Sequence, residues 1–350
     1  MATIKKIARL AGVSPTTVSN VLHGNTAKVS PATLEKVNAI LKQEKYAPNM
    51  GAIILAHNNS RIIGVIMFVQ PRDNETVIED PFTSAILGSL EQEIKNSGYF
   101  TMIHTTGDEE DVLRLASTWK LDGLVLLWVP DEMCGRILDS VETPIVFIDC
   151  YYHGDHPRYR NIGLDDRRGG REIANYLMSM GHRNVAFLAN ASEIPGSDLS
   201  RFEGCRLSYA ESGTILSIDC FIPLSKEAHE REAQYDAVLA DTREFTALIM
   251  SSDYYAAEAI LHYQAQGIDV PERVSITGFD DNIFGRLIRP RLTTVHQDVA
   301  AKGRLAVDTL MRLIRGEETA ERDVRLPVRL EIRNSVKRFP ENAGVLNDGL

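Results

Sequence analysis

Cysteine is scarce in this chain and does not cluster. Cys134, Cys150, Cys205 and Cys220 are widely separated, with no C-x-x-C pair. That spacing excludes a thiolate metal site as a reading and leaves reduced thiols. Nine histidines are scattered without paired spacing, so no metal ligand set is expected. Long apolar runs are absent too: none approaches the ~20 residues of a membrane span. Lys5, Lys6 and Arg9 interrupt any apolar leader, and the expected location is the cytoplasm. No G-x-G-x-x-G follows the first predicted strand, and there is no Walker loop, H-E-x-x-H or G-x-S-x-G. An enzyme is therefore not expected, nor a catalytic residue, nor a cofactor. Basic charge is also short. The 38 Lys and Arg against 48 Asp and Glu give a net charge of −10, so the surface as a whole is no nucleic-acid binder.

The charge that is present is uneven. Residues 1–60 carry Lys5, Lys6, Arg9, Lys28, Lys36, Lys42 and Lys45 against Glu35 and Glu44, a balance of +5 that leaves −15 for the rest. A basic head on an acidic body is the pattern expected when the head alone meets phosphates. Within the head, Thr3 is placed to cap a helix whose apolar face is Ile4, Ile7, Ala8 and Ala11, spaced i, i+3, i+4. Gly12 ends it in a tight turn. Ser14 caps a second helix with Pro15 at its first position. Val18, Val21 and Leu22 face inward and Thr16, Thr17, Ser19 and Asn20 outward. Two such helices form a helix-turn-helix. A third helix over 31–44, capped by Ser30, carries Leu34, Val37, Ile40 and Leu41 on one face. Pro48 then breaks the pattern, and the apolar stretch 50–56 is too short to hold a helix alone in water. It reads as a linker ordered only by a partner.

From Arg61 onward strands and helices alternate, which predicts parallel sheets with helices on both faces. A first series runs from strand 62–69 to strand 144–149, and a polar break follows at 151–165. A second series runs from helix 167–180 to strand 273–279. Residues 291–338 are too few for a third lobe and are expected to cross back and complete both sheets. Their helix should turn Ala300, Leu305, Leu310 and Leu313 inward. The fold class is thus an all-α helix-turn-helix head on a two-lobed α/β body. The expected division is a head over 1–46, a hinge over 47–60, a body over 61–338 and a frayed tail over 339–350. Within the body, one lobe takes about 61–160 with 294–322, and the other about 161–293 with 323–338. Open α/β sheets bind ligands beyond the carboxyl ends of their strands. Phe68, Thr105, Trp128, Asp149, Leu188 and Asp280, which close strands, are the first site candidates.

The ordered motifs resemble the LacI/GalR family of bacterial transcription regulators. The head carries I-A-R-L-A-G-V-S-P-T-T-V-S-N-V-L-H-G at 7–24, V-S-P-A-T-L-E-K-V at 29–37 and Y-A-P-N at 46–49. The body carries D-G-L-V-L at 122–126, M-G-H-R-N-V-A-F-L at 180–188, S-I-T-G-F-D-D at 275–281 and R-L-T-T-V-H-Q-D at 291–298. The resemblance implies a periplasmic-binding-protein-like body and a homodimer or tetramer on a pseudo-palindromic operator, and a C-terminal coiled-coil tetramer is not expected without a leucine-heptad tail. It also implies a small-molecule effector, a sugar or sugar derivative, held between the lobes. The alternative is a solute-binding or ligand-sensing protein without DNA action. By position, the resemblance puts Pro15, Thr16 and Asn20 at base edges, with Thr3, Thr17, Ser19 and His23 also on the DNA side. Leu55 falls on the leucine that wedges into the minor groove. Asn20 stands where arginine is frequent, and asparagine suits adenine where arginine suits guanine. Ile53 and Ile54 replace common polar hinge residues.

For the effector, the resemblance places Phe82, Asp149, Arg201, Ser252, Asp280 and Gln297 at the cleft. Trp128, at the end of its strand, offers a flat ring for stacking. Each has a plain structural alternative. Arg201 could be a surface residue opening a helix, and Asp280 could cap the next turn, although Asp281 suits that better. Ser252 could cap the helix at 253–266, and Phe82 and Trp128 could be core.

Overall fold

A computed structural model of the chain describes residues 3–22, 26–46, 60–69, 77–190, 196–241 and 243–340. Contacts divide it at Ser60 and Arg61 into two compact units.

In the head, Thr3 caps α1 (Ile4–Ala11) by accepting the Lys6 amide at 3.2 Å. Gly12 takes a left-handed φ of 68° and turns the chain. Ser14 Oγ accepts the Thr17 amide at 3.0 Å to start α2 (Pro15–Leu22). Ser30 does the same for Thr33 at α3 (Pro31–Gln43). Ile7, Ala8, Ala11, Val18, Val21 and Val37 form the core where the three helices meet. Each large side chain buried there stabilises by about 1.5–3 kcal/mol. Leu34, Ile40 and Leu41 are only half-buried at its edge. His23, Ile53, Ile54 and Leu55 lie outside the described residues.

The body opens with β1 (Ile62–Phe68), α4 (Pro81–Asn96), β2 (Phe100–Thr106), α5 (Glu109–Trp119), β3 (Gly123–Leu127), α6 (Asp131–Ser140), β4 (Ile145–Ile148) and β5 (Asn161–Leu164). It continues with α7 (Asp166–Ser179), β6 (Val185–Asn190), α8 (Ser197–Glu211), β7 (Phe221–Leu224), α9 (Ala228–Leu239), β8 (Ala247–Met250), α10 (Asp253–Ala265), β9 (Ser275–Asp280) and the short α11 (Ile283–Leu287). Then come β10 (Thr293–His296), α12 (Val299–Ile314), β11 (Asp323–Leu326) and β12 (Arg329–Glu331). One sheet is ordered β11-β5-β4-β3-β1-β2 and is parallel throughout; the other is ordered β12-β10-β9-β8-β6-β7, with β12 antiparallel at its edge. Each sheet has apolar cores on both faces, as buried runs such as Leu124–Leu127 require.

Several sequence expectations need correction. The polar break at 151–165 contains β5, a strand too short and too isolated between polar flanks to show a period. The lobe boundaries change with it. β5 and β11 belong to the first sheet, whereas β10 and β12 belong to the second. The chain therefore crosses between lobes three times, at 165, 297–298 and 327–328. Helix α11 was not foreseen. In α12 Ala300 is exposed, and the inward face runs through Lys302, Ala306, Val307, Leu310 and Met311. Phe339 is not frayed: its amide donates to the Met180 carbonyl at 2.7 Å and its ring packs on His182. Residues 341–350 lie outside the described residues.

Candidate functional site

On the head, α2 turns Pro15 and Thr16 fully outward and leaves Ser19 and Asn20 half-exposed. Thr17 is tied to Ser14 through both its amide and its hydroxyl, and Thr3 is spent on its cap. The second helix thus presents a short polar strip, with Val18 and Val21 anchoring it from beneath.

In the body, three of the strand-end candidates share an unusual backbone. Trp128 has φ 59°, Asp149 φ 51° and Asp280 φ 115°, with Asp281 following at 56°. Left-handed angles on non-glycine residues cost on the order of 1 kcal/mol or more each, and they gather where a site needs side chains aimed in a set direction. Here the bend turns each side chain off its strand and toward the cleft.

Those side chains meet others in one linked network. Arg201, at the start of the second turn of α8, donates through Nε to Asp166 Oδ1 at 2.8 Å and through Nη1 to the Ser251 carbonyl at 2.6 Å. Its guanidinium lies 3.6 Å from the Phe279 ring centroid, and Asp198 stands 3.7 Å away. The placement depends on glycines, because α7 and α8 cross at Gly170 and Gly204 with no room for a Cβ. Tyr151, in the segment leading to β5, donates to Asp166 across the lobes. On the other side, Gln297 in the second crossing donates to Asp280 Oδ1 at 2.6 Å. Lys302 reaches up from α12 to both oxygens of Asp149, at 2.9 and 2.8 Å, and to Gln297 Oε1 at 3.0 Å. The Phe82 and Trp128 rings pack 6.4 Å apart beside it, with Lys302 Nζ 5.1 Å from the Phe82 centroid.

Burial shapes the electrostatics. It pushes the Asp149 carboxyl above the usual range, with Lys302 pulling the other way. Asp280 is driven well above that range by burial, which Arg201 only partly offsets. Burial lifts Asp198 to about 6. For Arg201 burial opposes the charge, but Asp166, Asp198 and Asp280 outweigh it and hold the guanidinium more firmly protonated than usual. The network is buried and acid-rich, with two committed cations and the Phe82–Trp128 pair beside it. Hydrogen-bonded recognition suits it. No group of three or more potential metal ligands occurs among the described residues.

Of the effector candidates, the structure brings together Phe82, Trp128, Asp149, Arg201, Asp280 and Gln297. Ser252 is different: its hydroxyl accepts the Tyr255 amide and caps α10. Asp281 is no cap. It pairs with Arg333 at 2.5 Å and His296 at 3.0 Å, and Asn282 caps α11 instead. Phe68 and Leu188 are core, and Thr105 is exposed on the edge strand β2. A surface depression of about 740 Å³ lined by Asp236, Leu239, Gln266 and Arg273 lies away from the network and shares no residue with it.

Comparison with known proteins decides the kind of molecule. Residues 3–49 match the bacterial regulatory proteins, lacI family, and residues 174–336 match a periplasmic binding protein-like domain. The HTH-type transcriptional regulator DegA of Bacillus subtilis (strain 168) is 30% identical over 345 residues, covering 95% of this chain and 97% of the relative. The chain belongs to the LacI family of bacterial regulatory proteins. The regulator GalR of Escherichia coli (strain K12) is also 30% identical, over 89% of each chain. A crystal structure of the Lac repressor dimer bound to operator and the anti-inducer ONPF shares the fold, with a TM-score of 0.83 at 24% identity over 96% of this chain and 99% of that one. As a LacI-family member this protein is a DNA-binding transcriptional regulator and not an enzyme. No helix among the described residues is long and apolar enough to cross a membrane.

Sequence reasoning missed three members of this network. Lys302 sits four residues before Ala306 and eight before Leu310, on the inward stripe of α12; a cation on an apolar stripe is the signal that could have found it. Asp166 carries no motif or period that marks it. Tyr151 lay in what read as a polar break, where no period marked it.

Proposed function

We propose that this regulator is a repressor that binds a pseudo-palindromic operator as a homodimer and answers to a small molecule held between its lobes. The observation that carries the reading is the cleft network, in which strained strand ends from both lobes aim Trp128, Asp149 and Asp280 at the same space as Arg201 and Gln297. Donors and acceptors alternating beside an aromatic wall fit a sugar, a sugar derivative or a similarly hydroxylated ring. Pro15, Thr16 and Asn20 read base edges, Thr3, Thr17, Ser19 and His23 support them, and Leu55 enters the minor groove. Leu261, Ile283, Phe284 and Leu287 expose apolar surface on α10 and α11, which supports pairing of two copies. A DNA partner supports a cytoplasmic location.

Effector and operator act on each other through two lobe arrangements, so the coupling is reciprocal. Selection of binding sites from random DNA with the full-length chain tests the reading, followed by gel shifts at several salt concentrations. A regulator selects a two-fold site whose affinity falls steeply with salt and shifts when a ligand found by thermal stabilisation is added. A chain that selects no site, with or without ligand, is instead a ligand-sensing protein without DNA action.

A further inference from the structure

Lys302 is among the most deeply buried cations of the body, with its side chain 1% exposed and that of its partner Asp149 9% exposed. An ammonium has three donors, and all three are spent: two on Asp149 and one on Gln297. Gln297 is committed in turn, since its amide nitrogen serves Asp280 Oδ1. The first lobe therefore meets its own carboxylate with its own cation. Among the described residues, Asp280 Oδ2 and Arg201 Nη2 are cleft atoms without a hydrogen bond to the protein. Arg201 already serves Asp166 and Ser251 through its other nitrogens.

We propose that Lys302 is a specificity-determining residue of the cleft. It stands as the resident counter-ion of Asp149, closing that end to ligand hydroxyls and pinning Gln297. Ligand reading then falls to Asp280 and Arg201, which selects an uncharged or cationic molecule with neighbouring donor and acceptor. Sugar acids and sugar phosphates are rejected. The charge census explains why: Asp80, Asp149, Asp166, Asp198 and Asp280 all act on this space, and its two cations are committed. Among the described residues, an added anion would meet these carboxylates with only Arg201, already bonded to Asp166 and Ser251, to answer it. Removing one partner of such a pair leaves a buried charge unmatched, whereas replacing both by neutral groups of similar size is tolerated.

The inference rests on the ligand-controlled reading above, and two measurements on the full-length protein test it. The first is thermal unfolding from pH 5 to 8 for wild type, Lys302→Met and Lys302→Met/Asp149→Asn. Without Lys302, Asp149 is faced by Asp166, the Tyr151 hydroxyl, the Cys150 thiol and Arg201, with Arg201 the one cation among them, so its carboxyl holds a proton more tightly in the folded state. That stabilisation is intact at low pH and lost as pH rises. Lys302→Met should therefore melt progressively lower than wild type toward pH 8, and adding Asp149→Asn should remove the pH-dependent part. Asparagine suits the left-handed backbone there. Parallel melting curves for wild type and Lys302→Met overturn the pairing. Should Lys302→Met not fold, the double variant must still do so, and its failure also counts against the pairing.

The second measurement screens wild type by thermal shift against three pools: neutral monosaccharides with nucleosides and nucleobases, amino sugars, and sugar acids with sugar phosphates. The expected result is a shift of at least about 3 °C from the first or second pool. A hit in the third pool, or none in the first two, overturns the selection. The double variant should bind the hit about tenfold more weakly while Lys95→Met leaves it unchanged; equal affinity in all three proteins also overturns it. Failure of the regulator reading shows separately, as wild-type protein that selects no DNA whatever the pools give.

Discussion

The carbonyl oxygen of Arg201 lies 1.9 Å from where a Cβ on Gly170 would stand. Helices α7 and α8 touch backbone to backbone at this point, and the reciprocal position, Gly204, would put a Cβ 2.0 Å from the Arg167 carbonyl. The close crossing sets Arg201 between Asp166 and the Phe279 ring. Gly170→Ala should cost about 1–3 kcal/mol from overpacking, and it should weaken ligand binding by moving the guanidinium. Thermal unfolding and ligand titration check both, and an unchanged melting temperature would show that the helices separate without strain.

Asp280 predicts a site that works against stability. Its carboxyl is raised by burial, with Asp253 and Asp80 adding repulsion and Arg201 and Gln297 opposing. An acid with a raised folded pKa contributes fully below its unfolded value near 4, and that contribution fades as pH rises toward the folded value. Asp280→Asn abolishes the loss. The variant should melt higher than wild type at pH 7 to 8, match it near pH 4, and lose ligand binding. A variant less stable than wild type at pH 7 contradicts this account.

Ser252 should behave as a cap. Ser252→Ala removes the acceptor for the Tyr255 amide, with an expected cost of about 1 kcal/mol, and leaves ligand affinity within twofold. Calorimetric titration beside a melting curve separates the two effects. A large loss of affinity at unchanged stability would return Ser252 to the ligand contacts.

On the head, the half-exposed Asn20 offers an amide suited to adenine N6 and N7. Asn20→Arg should shift the preferred base at one position of each half-site from adenine to guanine, with discrimination of about 1–3 kcal/mol. Binding-site selection with both proteins decides it, and an unchanged preferred base refutes the assignment.

Much of this was legible in the chain itself. The caps at Thr3, Ser14 and Ser30 and the turn at Gly12 are local chemistry, so α1 to α3 could be read to within a residue or so. Buried parallel strands showed as apolar runs, and Trp128, Asp149 and Asp280 were found because strand ends are where such sheets place ligands. Lys302 was not found, because a lysine inside a helix is ordinarily solvated and only the partner across the cleft changes that. The lobe boundaries were misread because four-residue strands such as β5 and β11 carry no period of their own.

By itself, then, the sequence determined the helical head, the alternating body and the regulator family. These depend on local propensity, periodicity and motif order, which neighbours in the chain express. The tertiary structure decided which lobe each late strand joins, that Ser252 caps while Asp281 pairs with Arg333 and His296, and that Lys302 answers Asp149. Each of those is a contact between segments distant in the chain, and burial sets its energy; only folding brings the partners together and removes the water between them.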